Sequence, residues 1–427
     1  MHETRVRVGL LGCGNVGGAL AELLLADGDR IAERTGMALE LRAVAVRSLS
    51  RPRATSIPPE LLTTDAQAVA ADPDLDVVVE VIGGIEPART LILAALGSGK
   101  PVVTANKELL ANCGTELFDA AAAAGRDLLF EAAVAGGIPL IRPLRESLAG
   151  ERIHRVLGIV NGTTNYILSQ MAAHGASYQE ALAEAQSLGF AERDPTADVE
   201  GFDAAAKAAV IAHVAFGARV VAGDVDREGI GDIGADDIVS AHRLGFVIKP
   251  LAVIEEVDGA IGVRVHPAMV PAAHPLASVR DSFNAVFVEG EAVGELMFLG
   301  RGAGGAPTAS AVLGDLLDAA HNLTVGGAGR TPALRAVPRR SIDDLVSAYY
   351  LTLEVADRPG VLHAVAGVLG DHSVSVRSME QEGAAEGARL VFVTHPALER
   401  DMQACLQELH ALDAVRRVGG LIRVVGT

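Results

Sequence analysis

Residues 5–18 read RVRVGLLGCGNVGG, and this stretch decides the architecture of the N-terminal third of the chain. Arg5 to Leu11 is a β-rich run that stops abruptly at Gly12-Cys13-Gly14-Asn15-Val16-Gly17-Gly18, and a helical segment, Ala19 to Asp27, follows. Three glycines therefore stand at G-x-G-x-x-G spacing between a strand and a helix, the context of a dinucleotide-binding turn. Gly12 permits the tight turn, Gly14 lets the backbone approach a pyrophosphate, and Gly17 allows close packing. The helix N-terminus offers free N–H groups to the anion.

Working outward, a second strand, Leu39 to Val46, runs into Arg47-Ser48-Leu49-Ser50-Arg51-Pro52-Arg53 with no carboxylate at its end. Guanidinium groups suit a ribose 2′-phosphate, so the local chemistry favours NADP(H) over NAD(H), with Arg47 the best-placed donor. Alternation continues: strand Val77 to Ile82, helix Pro87 to Gly97, strand Pro101 to Val103, helix Glu108 to Gly125, strand Asp127 to Phe130. Such alternation implies a parallel, doubly wound sheet with right-handed crossovers. Ligands of these sheets bind at the carboxyl ends of the strands, where Gly83-Gly84, Thr104-Ala105-Asn106-Lys107 and Glu131 through Gly137 lie. Lys107, placed just after a buried strand, is expected to point into that crevice.

From Gly150 the pattern changes. Strand Ile153 to Val160 leads into Asn161-Gly162-Thr163-Thr164-Asn165 and a helix through Met171. An acidic stretch with Glu192, Asp194, Asp198, Glu200 and Asp203 then enters an alanine-rich helix whose one lysine is Lys207. Asp203 and Lys207 share a helix face at i,i+4. Small and apolar neighbours suggest that this face is buried, and a buried lysine with a lowered pKa can exchange a proton near neutrality. A surface ion pair on a solvated helix is the plainer alternative. Later apolar alternation (Val247 to Val257, Ile261 to Val265, Phe283 to Val288, Glu295 to Leu299) indicates an α+β domain. His213, His242, His266 and His274 lack metal-ligand spacing and read as structural. Helix Thr308 to Ala320 is expected to return to the first domain. Residues 324–340, rich in Gly, Pro and Arg, read as a linker to a β-α-β-β-α-β segment of ferredoxin-like order.

Composition sets the outer limits. At 427 residues the chain can hold two or three cores, and a net charge of −18 argues against a nucleic-acid partner. The N-terminal stretch MHETRVRVGLLGCG has no uninterrupted h-region, and no run nears about 18 apolar residues, so neither secretion nor membrane spanning is expected. Cys13, Cys113 and Cys405 form neither a disulfide framework nor a metal quartet, consistent with a reducing cytoplasm.

Taken together, LGCGNVGG (11–18), TANKELL (104–110), EAAVAGGIP (131–139), NGTTNYIL (161–168), LGFAERDPTADVEGFDAAAK (188–207), GRGAGGAPTAS (300–310) and DRPGVL (357–362) resemble the homoserine dehydrogenase family. The order of the motifs matches over residues 5–427, and NGTTN (161–165) and AERDPTADVEGFDAAAK (191–207) are the specific ones. The resemblance implies NAD(P)H-dependent reduction of L-aspartate 4-semialdehyde to L-homoserine, on the route to threonine and methionine. It implies a Rossmann-type domain (1–138, completed by a helix around 304–323), a substrate-binding and dimerisation domain (139–323), a linker (324–345) and a C-terminal ACT regulatory domain (346–427). Lys207 would then be the acid/base, with Lys107 beside the nicotinamide helping to orient the substrate. Glu192 and Asp203 would hold the substrate ammonium. Gly12, Gly14, Asn15, Val16 and Gly17 would cradle the pyrophosphate, with further cofactor contacts from Gly83, Thr104, Gly189 and Gly304. A sodium ion would sit on Glu131 and the carbonyls of Val134, Gly136 and Ile138. One departure is Ala206, where the family often has arginine.

Two other readings compete: another amino-acid-linked dehydrogenase with an ACT tail, and a catalytically silent amino-acid sensor. The two specific motifs count against the first, and an intact glycine turn with both lysines counts against the second. The resemblance further implies a homo-oligomer, dimer or tetramer, with threonine as allosteric ligand. Threonine is expected to act by stabilising paired tails that bias the dehydrogenase domains through the 324–340 linker, against the alternative of a tail that only cements an oligomer. Truncation after Arg340 separates the two, retained activity with lost threonine sensitivity supporting regulation.

Overall fold

The computed structural model describes residues 4–53, 56–384 and 387–426; the first three residues of the stretch read for an h-region lie outside them. The chain divides into two compact units. One comprises residues 1–160, 203–225 and 283–337; the other comprises 161–202, 226–282 and 338–427.

In the first unit, β1 (Thr4–Leu11), β2 (Met37–Ala45), β3 (Leu62–Thr63), β4 (Val77–Glu80), β5 (Val102–Thr104) and β6 (Leu128–Leu129) form one parallel sheet. Its order, β3-β2-β1-β4-β5-β6, is that of a doubly wound dinucleotide-binding fold, and the order reverses between β1 and β4. The apolar runs explain it: β4, VVVE, is buried at every position, as a strand covered by helices on both faces must be. Helix Asn15–Ala26 packs on this sheet through Leu20, Ala21 and Leu24, and helix Gly305–Val325 joins the same core through Val312, Leu316 and Ala320. Two details differ from the sequence reading. The first helix begins at Asn15, inside the glycine turn, and a second helix, Gly28–Thr35, follows after Asp27. The unit also contains an antiparallel trio, Ile153–Ile159, Phe283–Gly290 and Gly294–Arg301, and the lysine helix from Asp203 on.

The second unit is built on the hairpin Phe246–Val257 and Ala260–Pro271. Asp258 and Gly259 close it with φ of 54° and 76°, the left-handed pair that a two-residue turn matching strand twist requires. The C-terminal module has the expected β-α-β-β-α-β order, with strands Val346–Val355, Val376–Ala384, Gly387–Thr394 and Val415–Val424. It is not a tethered tail. Strand Val415–Val424 pairs in parallel with the hairpin at Ala268–Arg423 and Met269–Val424. Strand Val346–Val355 buries both faces: Tyr349, Leu351 and Leu353 enter the core under the module's own helices, whereas Ala348 and Tyr350 enter a core with Tyr166, Met171, Ile238 and Met269. Period-two alternation sends the adjacent tyrosines into different cores.

Residues 324–345, read as a linker, are pinned by backbone hydrogen bonds. In the first unit Arg335 N–H donates to Gly217 O (2.8 Å) and Arg219 N–H to Arg335 O (3.0 Å). In the second, Ile261 exchanges bonds with Pro338 O and Arg340 N–H, both 2.9 Å. No described helix is long and apolar enough to cross a membrane.

Candidate active site

The glycine turn has the geometry its spacing implies. Gly12 adopts φ +101°, and a Cβ there would lie 2.8 Å from Val81 O at the end of β4. A Cβ on Gly17 would sit 2.2 Å from Gly12 O, so only glycine lets the helix close onto the turn. Gly14, at the helix N-cap, has nothing within 4 Å of its Cβ position, leaving open approach to its backbone. Asn15 and Val16 open the helix, so their N–H groups are among those with no intrahelical acceptor. A second helix start meets this turn: Gly304, with φ +124°, caps Gly305–Val325, and a Cβ on Gly305 would be 3.1 Å from Asn15 O. Two helix N-termini beside one turn form an anion-binding corner. Arg47 follows β2 on an exposed loop. That loop is folded by Arg53, which donates to Ser48 O and Leu49 O.

A carboxylate that sequence reasoning passed over organises the next crest. Glu80 is fully buried at the end of β4 and accepts from Thr104 Oγ1 (2.6 Å), Ile82 N (2.7 Å) and Gly83 N (3.3 Å). Asn106 Nδ2 donates to Gly84 O (2.7 Å), while its Oδ1 caps helix Lys107–Ala124 at Leu109 N (3.1 Å). Gly83, Thr104 and the start of the Lys107 helix are thus fixed by two side chains. The signal was an acid closing the apolar run VVVE, where burial demands backbone donors.

Lys107 and Lys207 come together on one carboxylate. Lys207 Nζ lies 2.6 Å from Asp203 Oδ2, and Lys107 Nζ lies 3.2 Å from Asp203 Oδ1. Lys207 also donates to Val160 O at 2.7 Å. Its side chain and that of Asp203 are each 12% exposed, against 40% for Lys107, which excludes the solvated-helix reading. The helix Phe202–Phe216 buries six of its seven alanines, and small residues let neighbouring segments approach the lysine closely. An ammonium has three donors. Two are used among the described residues, leaving one N–H for a ligand.

The Glu131 loop is also buried. Glu131 Oε1 accepts Leu140 N (2.5 Å) and Ile141 N (2.8 Å), and Oε2 accepts Arg142 N (2.8 Å). Ala135 and Gly136 take φ of 59° and 53°, a left-handed pair that turns successive carbonyls in different directions. The carbonyls of Val134, Gly136 and Ile138 accept no hydrogen bond from a described residue, although all three residues are buried. Asp315, from helix Gly305–Val325, accepts Glu131 N (2.7 Å) and pairs with Arg142 (3.0 Å), and burial pushes its carboxyl up to about 7.

Glu192 and Gly189 belong to the second unit. Gly189 has φ +77°, and Glu192 is exposed, its carbonyl accepting Gln186 Nε2 at 3.1 Å. The loop that carries them is held by the NGTTN helix, Gly162–His174: Thr163 Oγ1 donates to Phe190 O and Asn161 Nδ2 to Asp198 Oδ1, each 2.7 Å. The histidines are structural where their contacts are defined. His213 Nε2 meets Val220 O at 2.6 Å, His266 Nδ1 meets Pro267 O at 2.9 Å, and His274 Nδ1 accepts Leu276 N at 3.1 Å.

Comparison with known proteins gives this arrangement a family. A model of the homoserine dehydrogenase NAD-binding domain matches residues 12–131, one described as homoserine dehydrogenase matches 139–317, and an ACT-domain model matches 349–414. The homoserine dehydrogenase of Corynebacterium glutamicum is 51% identical over 425 residues, covering 98% of this chain and 95% of the relative. That of Mycobacterium tuberculosis is 50% identical, covering 100% and 99%. Among solved structures, a homoserine dehydrogenase from Thiobacillus denitrificans superposes with a TM-score of 0.93 at 41% identity, covering 99% of this chain and 98% of that one. A hyperthermophilic archaeal homoserine dehydrogenase in complex with NADPH has a TM-score of 0.64 at 29% identity, covering 76% and 99%. With both enzyme-domain models matched in order and full-length relatives at 50–51% identity, the chain belongs to the homoserine dehydrogenase family, oxidoreductases with an NAD(P)-binding domain and, here, a C-terminal ACT domain.

Proposed function

We propose that this chain reduces L-aspartate 4-semialdehyde to L-homoserine with NADPH, on the route to threonine and methionine, and that Lys207 supplies the proton. The carrying observation is the Asp203 carboxylate bound to both Lys107 and Lys207. When bound, the reduced nicotinamide supplies the hydride. As it arrives, negative charge develops on the substrate oxygen, and the remaining Lys207 N–H lies ready to protonate it. Asp203 and Val160 O fix the direction of that ammonium, and Lys107 orients the substrate on the nicotinamide side. Glu192 and Asp203 receive the substrate ammonium, with Asp203 doubling as the anchor of both lysines. An assay of NADPH oxidation with L-aspartate 4-semialdehyde tests the reading directly: no turnover by the purified protein would sink it.

For the cofactor, the turn Gly12, Gly14, Asn15, Val16 and Gly17 cradles the pyrophosphate, with Gly83, Thr104, Gly189 and Gly304 completing the contacts. Arg47 recognises the 2′-phosphate. Arg47→Ala is expected to raise the KM for NADPH about tenfold while leaving that for NADH nearly unchanged, the loss of one charge-assisted bond worth about 1.5 kcal/mol. Equal weakening of both cofactors, measured by initial rates, would remove Arg47 from that role.

Sodium fits the Glu131 loop. Buried carbonyls of Val134, Gly136 and Ile138, without donors among the described residues, are hard oxygen ligands, and Glu131 Oε2 accepts one N–H among those residues, leaving a lone pair. Its part would be structural.

The remaining assignments are a cytoplasmic homo-oligomer, dimer or tetramer, with domains at 1–138, 139–323 and 346–427. Threonine is the expected feedback ligand of the ACT module. Support comes from the turn Asp357-Arg358-Pro359-Gly360, where Gly360 (φ +90°) caps helix Val361–Asp371 and leaves its N–H groups for a carboxylate. Intact enzyme unaffected by millimolar threonine would end that proposal.

A further inference from the structure

The strand Phe246–Val257 buries a lysine that the reaction does not use. Lys249 is 3% exposed, and among the described residues it forms no ion pair. Its Nζ donates to Asn165 Oδ1 at 3.4 Å and to the carbonyl of Val279. Asn165 in turn donates to Asp281 O (2.9 Å) and Val279 O (3.4 Å). Asp281 holds a left-handed φ of 54°, and its N–H bonds Ser169 Oγ at 3.2 Å on the same helix as Asn165. That helix is Gly162–His174. Its first turn holds Phe190 and Asp198 through Thr163 and Asn161, and Tyr166 packs against Phe190 with ring centroids 4.9 Å apart and planes tilted by 46°. One helix end is therefore bolted on one side to the loop carrying Glu192 and on the other to the 279–281 turn and Lys249.

We propose that Lys249 is a positioning residue for substrate binding: its ammonium group locks Asn165 and the 279–281 turn and thereby sets the NGTTN helix that shapes the Glu192 loop. The inference rests on the reading that this loop binds the substrate. Energetics favour a functional reason for the lysine. A buried cation without a carboxylate partner is costly, and an apolar side chain of similar length would fill the space at less expense. Burial and the neighbouring Arg280 push the Lys249 ammonium down to about 8, with Asp281 opposing more weakly. Local rules broken without gain in stability concentrate at functional sites.

The test uses the full-length chain and initial-rate kinetics. Lys249→Met is expected to raise the KM for L-aspartate 4-semialdehyde about tenfold, as for one lost charge-assisted contact, with the KM for NADPH unchanged and Tm not lowered. Asn165→Ala should give a similar rise, and the double variant no further rise, because both act through one contact. A residue that only stabilises the fold would lower Tm and leave the semialdehyde KM alone, and that result, or fully multiplicative effects, overturns the proposal. Should Lys249→Met not fold, Lys249→Gln, which keeps an N–H donor, should still raise the same KM; a wild-type value overturns the proposal. Wild-type protein inactive on the semialdehyde would instead defeat the functional reading beneath it. Active wild type with an unmoved Lys249→Met defeats only this inference.

Discussion

Lys207→Ala is expected to lower kcat by about two to four orders of magnitude, the range for losing a positioned general acid. The fold should survive the change. Alanine is the better helix former, and the residue sits in an alanine-rich helix. Asp203 keeps Lys107 as a partner at 3.2 Å, so no carboxylate is stranded. What is lost is the donor to Val160 O and the N–H facing the ligand, a local stability cost of about 1–3 kcal/mol. Binding of NADPH should be unaffected, because the glycine turn and the Glu80 crest lie on other elements. Lys207→Arg should fail too: a guanidinium does not release its proton near neutrality, and its planar fork cannot reproduce the two bonds the ammonium makes. Stopped-flow and steady-state rates decide the matter. A variant with wild-type Tm and near-normal kcat would take the acid role away from Lys207.

Truncation after Arg340 is expected to abolish folding rather than regulation. From the sequence, truncation separates a regulatory tail from one that only cements an oligomer; the packing instead makes the tail part of a shared core. Removing residues 341–427 strips Tyr350, Val391, Ile422 and Val424 from a core that also contains Tyr166, Met171, Ile238 and Met269. Each large apolar side chain returned to water forfeits about 1.5–3 kcal/mol, and several together are comparable to a typical total stability of about 5–15 kcal/mol. Polar ties go with them. Arg423 makes a bidentate pair with Glu399 (2.8 and 2.9 Å) and reaches Glu228 at 2.8 Å. Tyr350 donates to Asp237 at 3.2 Å. The truncated chain should therefore be insoluble or lack a cooperative thermal transition by circular dichroism. A soluble, active fragment would show that the 161–282 core closes by itself. Threonine sensitivity is accordingly a question for the intact chain.

Local sequence determined a great deal. Strand–turn–helix with G-x-G-x-x-G places the cofactor turn, because only glycine tolerates the 2.2 Å approach at Gly17 and the left-handed φ at Gly12. The i,i+4 spacing of Asp203 and Lys207 fixes their pairing, since helix geometry alone brings them to one face. Tertiary structure decided what spacing cannot encode. Lys107 reaches Asp203 from a helix 96 residues away, Glu80 finds its donors only once β4 and β5 lie side by side, and Lys249 becomes unusual only when no described carboxylate proves to pair with it. The C-terminal module shows the same division. Its β-α-β-β-α-β order was legible, but the partner of each strand face was not, because alternation states that Tyr349 and Tyr350 point to opposite sides without saying what waits on either.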